Sequence, residues 1–176
     1  MTQLVSAEFE QFIARHFGAD GRAWLERLPA RVDHYRRAWQ LDVEQFFPGG
    51  LMSCCLAVTT ADRTAAVLKL SGRWTPAEPE AIALGHWAGG PAPALLAVDA
   101  AGDALLIERV VPGDVFAGVD SDADVVAVAR LIRALHAPSL AAADADRLPR
   151  LRDRADEEIA TAGAEAAARS AEEAAA

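Results

Sequence analysis

Residues 64–71 read TAAVLKLS, and this short apolar stretch contains Lys69, the only lysine in a chain of 176 residues. Side chains in a β-strand alternate between its two faces, so Ala65, Val67 and Lys69 are predicted to share one face of a strand. An ammonium group is strongly hydrated and is seldom buried without a partner. The apolar setting of Lys69 therefore predicts a partner for its charge.

A carboxylate eleven residues further along the chain is a candidate partner. The stretch at 75–90 reads TPAEPEAIALGHWAGG, which is typical of a helix with Thr75 as its N-cap. A helix packed across the sheet would bring Glu80, or its neighbour Glu78, to the ammonium, and an ion pair would then stabilise the lysine. In the alternative, Lys69 lies at a sheet edge and extends its ammonium into water.

The flanking sequence predicts the remaining elements of an α+β fold. An amphipathic helix ends near Gly18, and a second follows to Trp39, with Pro29 expected to break or restart it because its ring clashes with the preceding turn. A later helix begins at Asp122 and ends before Pro138. Five antiparallel strands are predicted at 43–47, 51–60, 64–70, 94–98 and 104–111.

The turn between the first two predicted strands is Pro48-Gly49-Gly50. Glycines in such a position usually serve only the turn, because they adopt backbone conformations that other residues avoid. Their position gives them a second interpretation. A glycine-containing hairpin, then a strand lysine, then a helix glutamate is the order in which kinase-like folds hold the phosphates of ATP.

Composition excludes several classes of function. The net charge is −9 and no basic run is present, which argues against a nucleic-acid partner. Hydrophobic residues make up 52% of the chain, which excludes general disorder. The apolar runs are too short for a membrane span and the first residues do not resemble a secretory signal, so we expect no membrane partner and a cytoplasmic location.

The two cysteines and four histidines do not form a recognisable site in the sequence. Cys54 and Cys55 are adjacent, which suits neither a disulfide framework nor spaced zinc ligands, so they are predicted to be reduced packing residues. A redox or metal role is the alternative. The histidines are spread along the chain without ligand spacing, and we interpret them as structural.

Seven motifs together resemble one known family over roughly residues 20–140. They are WLERLP at 24–29, the tryptophan at 39, FPGG at 47–50, AVLKL at 66–70, PEAIAL at 79–84, LLIERVVPG at 105–113 and ARLIRALHAP at 129–138. The chain resembles the aminoglycoside phosphotransferase superfamily, and within it the streptomycin 6-kinase-like, aminoglycoside/hydroxyurea resistance kinase group.

This resemblance implies a fold and an activity. The fold is a kinase-like N-terminal lobe, a five-stranded antiparallel sheet with one packed helix, preceded by N-terminal helices and followed by helices of an incomplete C-terminal lobe. The activity is transfer of the γ-phosphate of ATP, with magnesium, to a hydroxyl of an aminoglycoside-type antibiotic. The implied domains are N-terminal helices at 1–42, the ATP-binding lobe at 43–113, and the start of the second lobe with an Ala/Glu-rich tail at 114–176.

The resemblance also implies roles for particular residues. Lys69 binds the phosphates and Glu80 directs Lys69. Val67 shares the face of Lys69 and is expected to pack against adenine. The implied cofactor-binding residues are completed by the phosphate-covering hairpin, Gly49 and Gly50, and by the linker that touches adenine through its backbone, Glu108, Arg109 and Val110.

One family motif does not occur in the sequence. The family's catalytic loop contains His-Gly-Asp, and its magnesium ligands follow later; neither segment is found here, since His136 is followed by Ala-Pro-Ser. We therefore expect the 176-residue chain to be an incomplete and inactive representative, with its acceptor site unassigned. The alternatives are a catalytically dead nucleotide-binding or interaction module, or an assembly protein that pairs through the helix at 124–136.

Overall fold

The stretch that contains Lys69 forms the middle strand of a five-stranded antiparallel sheet. In the computed structural model, the described residues are 4–48, 50, 52–113, 118, 121–138, 140–153, 155 and 159. The strands are β1 (Asp42–Phe47), β2 (Ser53–Thr59), β3 (Ala65–Ser71), β4 (Leu95–Asp99) and β5 (Ala104–Glu108), in the order β1-β2-β3-β5-β4. The helices are α1 (Ala7–Ala38), α2 (Ala77–His86), α3 (Asp122–His136) and α4 (Ala142–Ala145).

This architecture confirms the predicted α+β fold. An open antiparallel sheet lies between N-terminal helical residues and later helices, as in a kinase-like N-terminal lobe. The chain divides into two compact units, Met1–Ser139 and Leu140–Ala176, and α4 belongs to the second. The predicted boundaries at 42/43 and 113/114 stay predictions, and most of the Ala/Glu-rich tail lies outside the described residues.

The two faces of β3 differ as the alternation predicted. Ala66, Leu68 and Leu70 are completely buried and belong to the core cluster, in which α1 covers the sheet. The opposite face contains Val67 and Lys69, which are only partly buried. The sheet therefore has a closed face toward α1 and a more open face that contains the lysine.

The first helix is shaped by two local features. The hydroxyl of Ser6 accepts a hydrogen bond from the Phe9 backbone N–H at 3.2 Å, which caps α1. At Gly18 the backbone is non-helical, with a φ of 52°, and the helix kinks there, where the sequence predicted an end. Gly21 lies so close to the helical segment before the kink that a Cβ at this position would lie 2.4 Å from the Ile13 carbonyl oxygen.

The predicted break at Pro29 is wrong, because α1 continues through this residue to Ala38. A proline inside a helix removes one hydrogen bond and costs about 3 kcal/mol. Its neighbours on the core face, Leu28 and Val32, are buried to 1% and 7% exposure. Burial of two such side chains contributes about 3–6 kcal/mol, which is enough to keep the helix continuous.

The last helix of the first unit begins where the sequence indicated. The Ser121 hydroxyl accepts a hydrogen bond from the Asp124 backbone N–H at 3.2 Å, and α3 ends at His136 before Pro138. None of its residues is buried, and Val125 and Ile132 are half exposed. No helix among the described residues is long and apolar enough to cross a membrane.

Candidate functional site

The centre of the candidate site is the ion pair between Lys69 and Glu80. Lys69 Nζ lies 2.5 Å from Glu80 Oε2, and the two side chains are 21% and 33% exposed. β3 lies between β2 and β5 rather than at the sheet edge, so the structure contradicts the alternative in which Lys69 extends into water. The predicted ion pair is thus present, and Glu80 rather than Glu78 forms it.

The strand register places apolar residues around the ammonium. Residues directly opposite each other in an antiparallel sheet share a face. Lys69 is opposite Cys55 on β2 and Leu105 on β5. Val67 is opposite Ile107 on β5 and shares this face with Lys69. The open face therefore combines one cation with an apolar surface, which suits a ligand that has both a flat ring and an anionic group.

Gly50 in the β1–β2 hairpin lies near a residue of this face. A Cβ at Gly50 would lie 2.8 Å from the Ser53 carbonyl oxygen and 3.4 Å from Cys55 Sγ. Because the first distance is shorter than real Cβ contacts allow, glycine is required by a close backbone approach in the hairpin. Gly50 is thereby placed beside Cys55, the cross-strand neighbour of Lys69. Gly49, the other predicted glycine of the hairpin, lies outside the described residues.

Both cysteines are free thiols. Burial is the main cause that raises the pKa of the Cys55 thiol. Burial, followed by the neighbouring Cys55, raises the pKa of the Cys54 thiol to about 12. Both groups are therefore protonated and poorly reactive at neutral pH, in agreement with their interpretation as packing residues.

The predicted linker begins where β5 ends. Glu108 Oε2 accepts a hydrogen bond from the Ala94 backbone N–H at 3.0 Å. The Arg109 backbone N–H donates to the Ala65 carbonyl at 3.2 Å, and the Arg109 guanidinium donates to Glu44 Oε2 at 2.7 Å. Because both side chains form hydrogen bonds within the protein, the linker backbone is the part that can form hydrogen bonds with a ligand.

The Val110 backbone N–H differs from the groups of Glu108 and Arg109 in its hydrogen bonding. Within the part of the chain that the structure describes, no residue accepts a hydrogen bond from it. An unpaired donor next to an apolar surface fits a nucleobase, whose ring nitrogens accept hydrogen bonds. The Val110 side chain itself is exposed.

The described residues fit a nucleotide but not a metal ion. Lys69 provides a cation. Gly50 allows a close backbone approach in the hairpin, and the linker backbone provides the Val110 N–H as a hydrogen-bond donor. Over the same described ranges, no group of three histidine, cysteine or acidic residues is arranged to hold a metal. None of the described residues is therefore assigned as a magnesium ligand.

The contact that caps α2 joins residues far apart in the sequence. Asp103 Oδ1 accepts a hydrogen bond from the Ala77 backbone N–H at 3.2 Å and so caps α2. The predicted cap at Thr75 is wrong, because Pro76 occupies the N-cap position and makes no side-chain hydrogen bond there. Asp103 and Ala77 are 26 positions apart in the sequence, which leaves no local signal for the contact.

Comparison with known proteins now identifies the family. A family model described as aminoglycoside/hydroxyurea antibiotic resistance kinase matches residues 38–176. The chain belongs to this kinase family. The match to the resistance kinases includes all five strands together with α2 and α3, while α1 before residue 38 lies outside it. The predicted family resemblance is confirmed.

Three curated members of the resistance kinase family are similar to this chain. A hydroxyurea phosphotransferase from Kitasatospora aureofaciens is 34% identical over 134 residues, 74% of this chain and 39% of the relative. Streptomycin 6-kinases from Streptomyces glaucescens and Streptomyces griseus are 33% and 32% identical, over 62% and 70% of this chain and 36% and 40% of their own lengths. The chain thus spans about two fifths of these relatives. No solved structure matches it significantly.

Proposed function

We propose that this chain provides the nucleotide-binding lobe of an ATP-dependent O-phosphotransferase that acts on an aminoglycoside antibiotic of the streptomycin type. The observation that carries the proposal is the Lys69–Glu80 ion pair on the open face of the sheet. A lysine held by a helix glutamate is the arrangement with which kinases position ATP phosphates. Membership of a kinase family supports the same reaction class.

Each proposed contact has a physical basis. Lys69 attracts the phosphates as a point charge, and Glu80 fixes the direction of the ammonium. Val67 and the apolar residues beside it cover the adenine ring. The β1–β2 hairpin with Gly49 and Gly50 covers the phosphates, and the backbone from Glu108 to Val110 binds the adenine edge. ATP supplies the phosphoryl group, and this lobe positions it.

The acceptor belongs to the proposal rather than to the observed geometry. Two relatives are named streptomycin 6-kinase and one is named hydroxyurea phosphotransferase, so both acceptors have support among the relatives. We place the streptomycin type first because two of these three names refer to it. The domain limits at 1–42, 43–113 and 114–176, and a cytoplasmic location, are part of the same proposal.

A second function has support from one observation. The 176 residues contain no His-Gly-Asp sequence, which the family uses in its catalytic loop. We therefore propose that this polypeptide alone binds ATP without turnover. The alternative is a catalytically dead nucleotide-binding or interaction module, which would also bind ATP without turnover. The two hypotheses are distinguished by a longer polypeptide with the same N-terminal lobe, because the dead module predicts that this polypeptide also fails to phosphorylate an acceptor.

Calorimetry with ATP and magnesium chloride tests the nucleotide proposal. We expect Lys69→Met to abolish measurable binding, because it removes the cation and leaves Glu80 without its partner. Arg73→Met is the matched control, since Arg73 follows β3 and is an exposed cation paired with Asp20 of α1 rather than with Glu80. Absence of ATP binding to the wild-type chain, or equal binding by Lys69→Met, would contradict the proposal.

A further inference from the structure

Asp103 connects the two elements that hold the ion pair. Its backbone carbonyl accepts a hydrogen bond from the Ser71 N–H at 2.9 Å, two residues after Lys69 on β3. Its side-chain Oδ1 accepts a hydrogen bond from the Ala77 N–H at 3.2 Å, three residues before Glu80 on α2. One residue therefore contacts both the end of the strand with the lysine and the start of the helix with the glutamate.

The helix that contains Glu80 is only partly buried. Only Ala77 and Leu84 are buried among its ten residues, all of which the structure describes. The first N–H groups of a helix need acceptors from outside it. Pro76 at the N-cap has no side-chain acceptor, so the Asp103 carboxylate takes this role and also complements the positive end of the helix dipole. Asp103 thus contributes a polar contact that helps to fix the first turn of α2.

Asp103 is itself held firmly from the other side of the sheet. The guanidinium of Arg31 on α1 donates hydrogen bonds to the Ser71 carbonyl at 2.8 Å and to the Gly102 carbonyl. Asp103 has a φ of 50°, a left-handed conformation that aspartate tolerates better than most residues. This anchoring fixes the direction in which the carboxylate meets α2.

We propose that Asp103 is a positioning residue for nucleotide binding, which acts by capping α2 and holding Glu80 against Lys69. The inference rests on the proposed function. Without the cap, α2 moves away from the sheet in part of the population and the ion pair opens. ATP then binds well only to the remaining fraction, and its apparent affinity falls in proportion.

Two substitutions distinguish the contribution of the Asp103 carboxylate from that of the Asp103 backbone. Asp103→Gly tolerates the positive φ and retains the backbone contacts but removes the cap. Asp103→Asn retains an oxygen that accepts the hydrogen bond. With ATP and magnesium chloride in calorimetry, we expect Asp103→Gly to bind about three- to tenfold more weakly, and Asp103→Asn to stay within about twofold of the wild type.

A double-mutant cycle shows whether the effect passes through Glu80. We expect Asp103→Gly to cause no further loss of ATP affinity in a Glu80→Gln background, because the group that it positions is already altered. Asp99→Asn is the matched control. Asp99 Oδ1 accepts a hydrogen bond from the Gly102 N–H at 3.0 Å in the same turn, and Asp99 makes no contact with α2 among the described interactions. Its substitution should leave ATP affinity unchanged.

Hydrogen exchange provides a second measurement that needs no nucleotide. We expect the amides of 77–86 to exchange faster in Asp103→Gly than in the wild type, while those of β2 exchange at the same rate. In Asp103→Asn and Asp99→Asn, the exchange of 77–86 should remain at the wild-type rate. This pattern would show that the Asp103 side chain stabilises α2 specifically.

Three outcomes would overturn the inference. They are unchanged ATP affinity in Asp103→Gly, an equal loss in the wild-type and Glu80→Gln backgrounds, and unchanged exchange of 77–86. A loss as large in Asp103→Asn as in Asp103→Gly would overturn the hydrogen-bond basis of the cap. If the wild type itself does not bind ATP, the proposed function fails, and the exchange comparison alone decides whether Asp103 positions α2.

Discussion

Arg109 and Glu44 form an ion pair of 2.7 Å that fastens the start of the linker to β1. The Thr59 hydroxyl on β2 donates a hydrogen bond to the same carboxylate at 2.5 Å. The Arg109 backbone N–H also bonds to Ala65 at the start of β3. Three strands and the linker are therefore joined at one end of the sheet, next to the place proposed for adenine.

This ion pair predicts a salt- and pH-dependent contribution to stability. The hydrogen bond from Arg109, followed by that from Thr59, lowers the pKa of Glu44 below 4.5. Because the folded-state pKa is depressed, the contribution is present above the unfolded value and is lost as pH falls through the folded value. We expect Glu44→Gln to lower the melting temperature slightly at pH 7, and the difference to narrow in concentrated salt and at acidic pH.

Thermal unfolding followed by circular dichroism checks this prediction. Asp33→Asn is a suitable control, because Asp33 forms exposed helix ion pairs with Arg36 and Arg37 that do not involve the linker. If the melting temperatures of Glu44→Gln and the wild type differ as much at low pH as at pH 7, the ion pair with Arg109 is not the cause of the difference.

The burial of Tyr35 predicts a loss of stability at alkaline pH. Burial, followed by the hydrogen bond that its hydroxyl donates to Asp99 at 2.9 Å, raises the pKa of Tyr35 to about 12. Because the folded-state pKa is raised, the stabilisation is complete below the unfolded value of 10 and is lost as pH rises from 10 toward 12. Tyr35 is the only tyrosine in the chain, so tyrosinate absorbance reports on it alone.

We expect tyrosinate to appear only above pH 10, together with the loss of native circular dichroism or with a midpoint near 12. Asp99→Asn should lower the midpoint without returning it to 10, since burial is the larger cause. Ionisation of the native protein with a midpoint at 10 would show that Tyr35 is not held as described.

Substitution by alanine at two helical glycines is predicted to change the stability of the protein in opposite directions. A Cβ at Gly21 would lie 2.4 Å from the Ile13 carbonyl oxygen, a backbone atom that cannot move aside easily, whereas Gly85 in α2 has nothing within 4 Å. We expect Gly21→Ala to destabilise the protein by about 1–3 kcal/mol. Gly85→Ala should stabilise it by about 0.5–1 kcal/mol, because alanine loses less conformational freedom in a helix.

Urea denaturation of the two variants measures both changes under the same conditions. The comparison is sharp because both positions are glycine in a helix and differ only in the space beside them. Wild-type stability in Gly21→Ala would mean that the turn after the Gly18 kink is more open than described.

Chemical modification of Cys55 tests the site in the wild-type protein. Its thiol shares a face with Lys69 and lies next to Gly50, while Cys54 is completely buried. We expect N-ethylmaleimide to modify Cys55 slowly at neutral pH and faster as pH rises, because burial raises the pKa of the thiol. ATP should slow the modification by covering the thiol.

Mass spectrometry of the modified peptide identifies the cysteine that reacts, and Cys55→Ser is the control. If ATP binds in calorimetry and leaves the rate of modification of Cys55 unchanged, the nucleotide does not occupy this face of the sheet.

The sequence by itself predicted the five strands, most of the helices and an ion pair between Lys69 and one of two neighbouring glutamates. The alternation around Lys69 predicted its face, the helical spacing after Thr75 predicted the helix of Glu80, and the motifs predicted the family. These are local patterns, which depend on residues a few positions apart.

Only the tertiary structure decided how these elements are held in place. The helix continues through Pro29 because Leu28 is buried against the sheet, and α2 is capped by Asp103 rather than by Thr75. Arg109 meets Glu44 across 65 positions of sequence. No short-range pattern encodes such contacts, because they form only when segments far apart in the chain are brought together by the burial of their apolar faces.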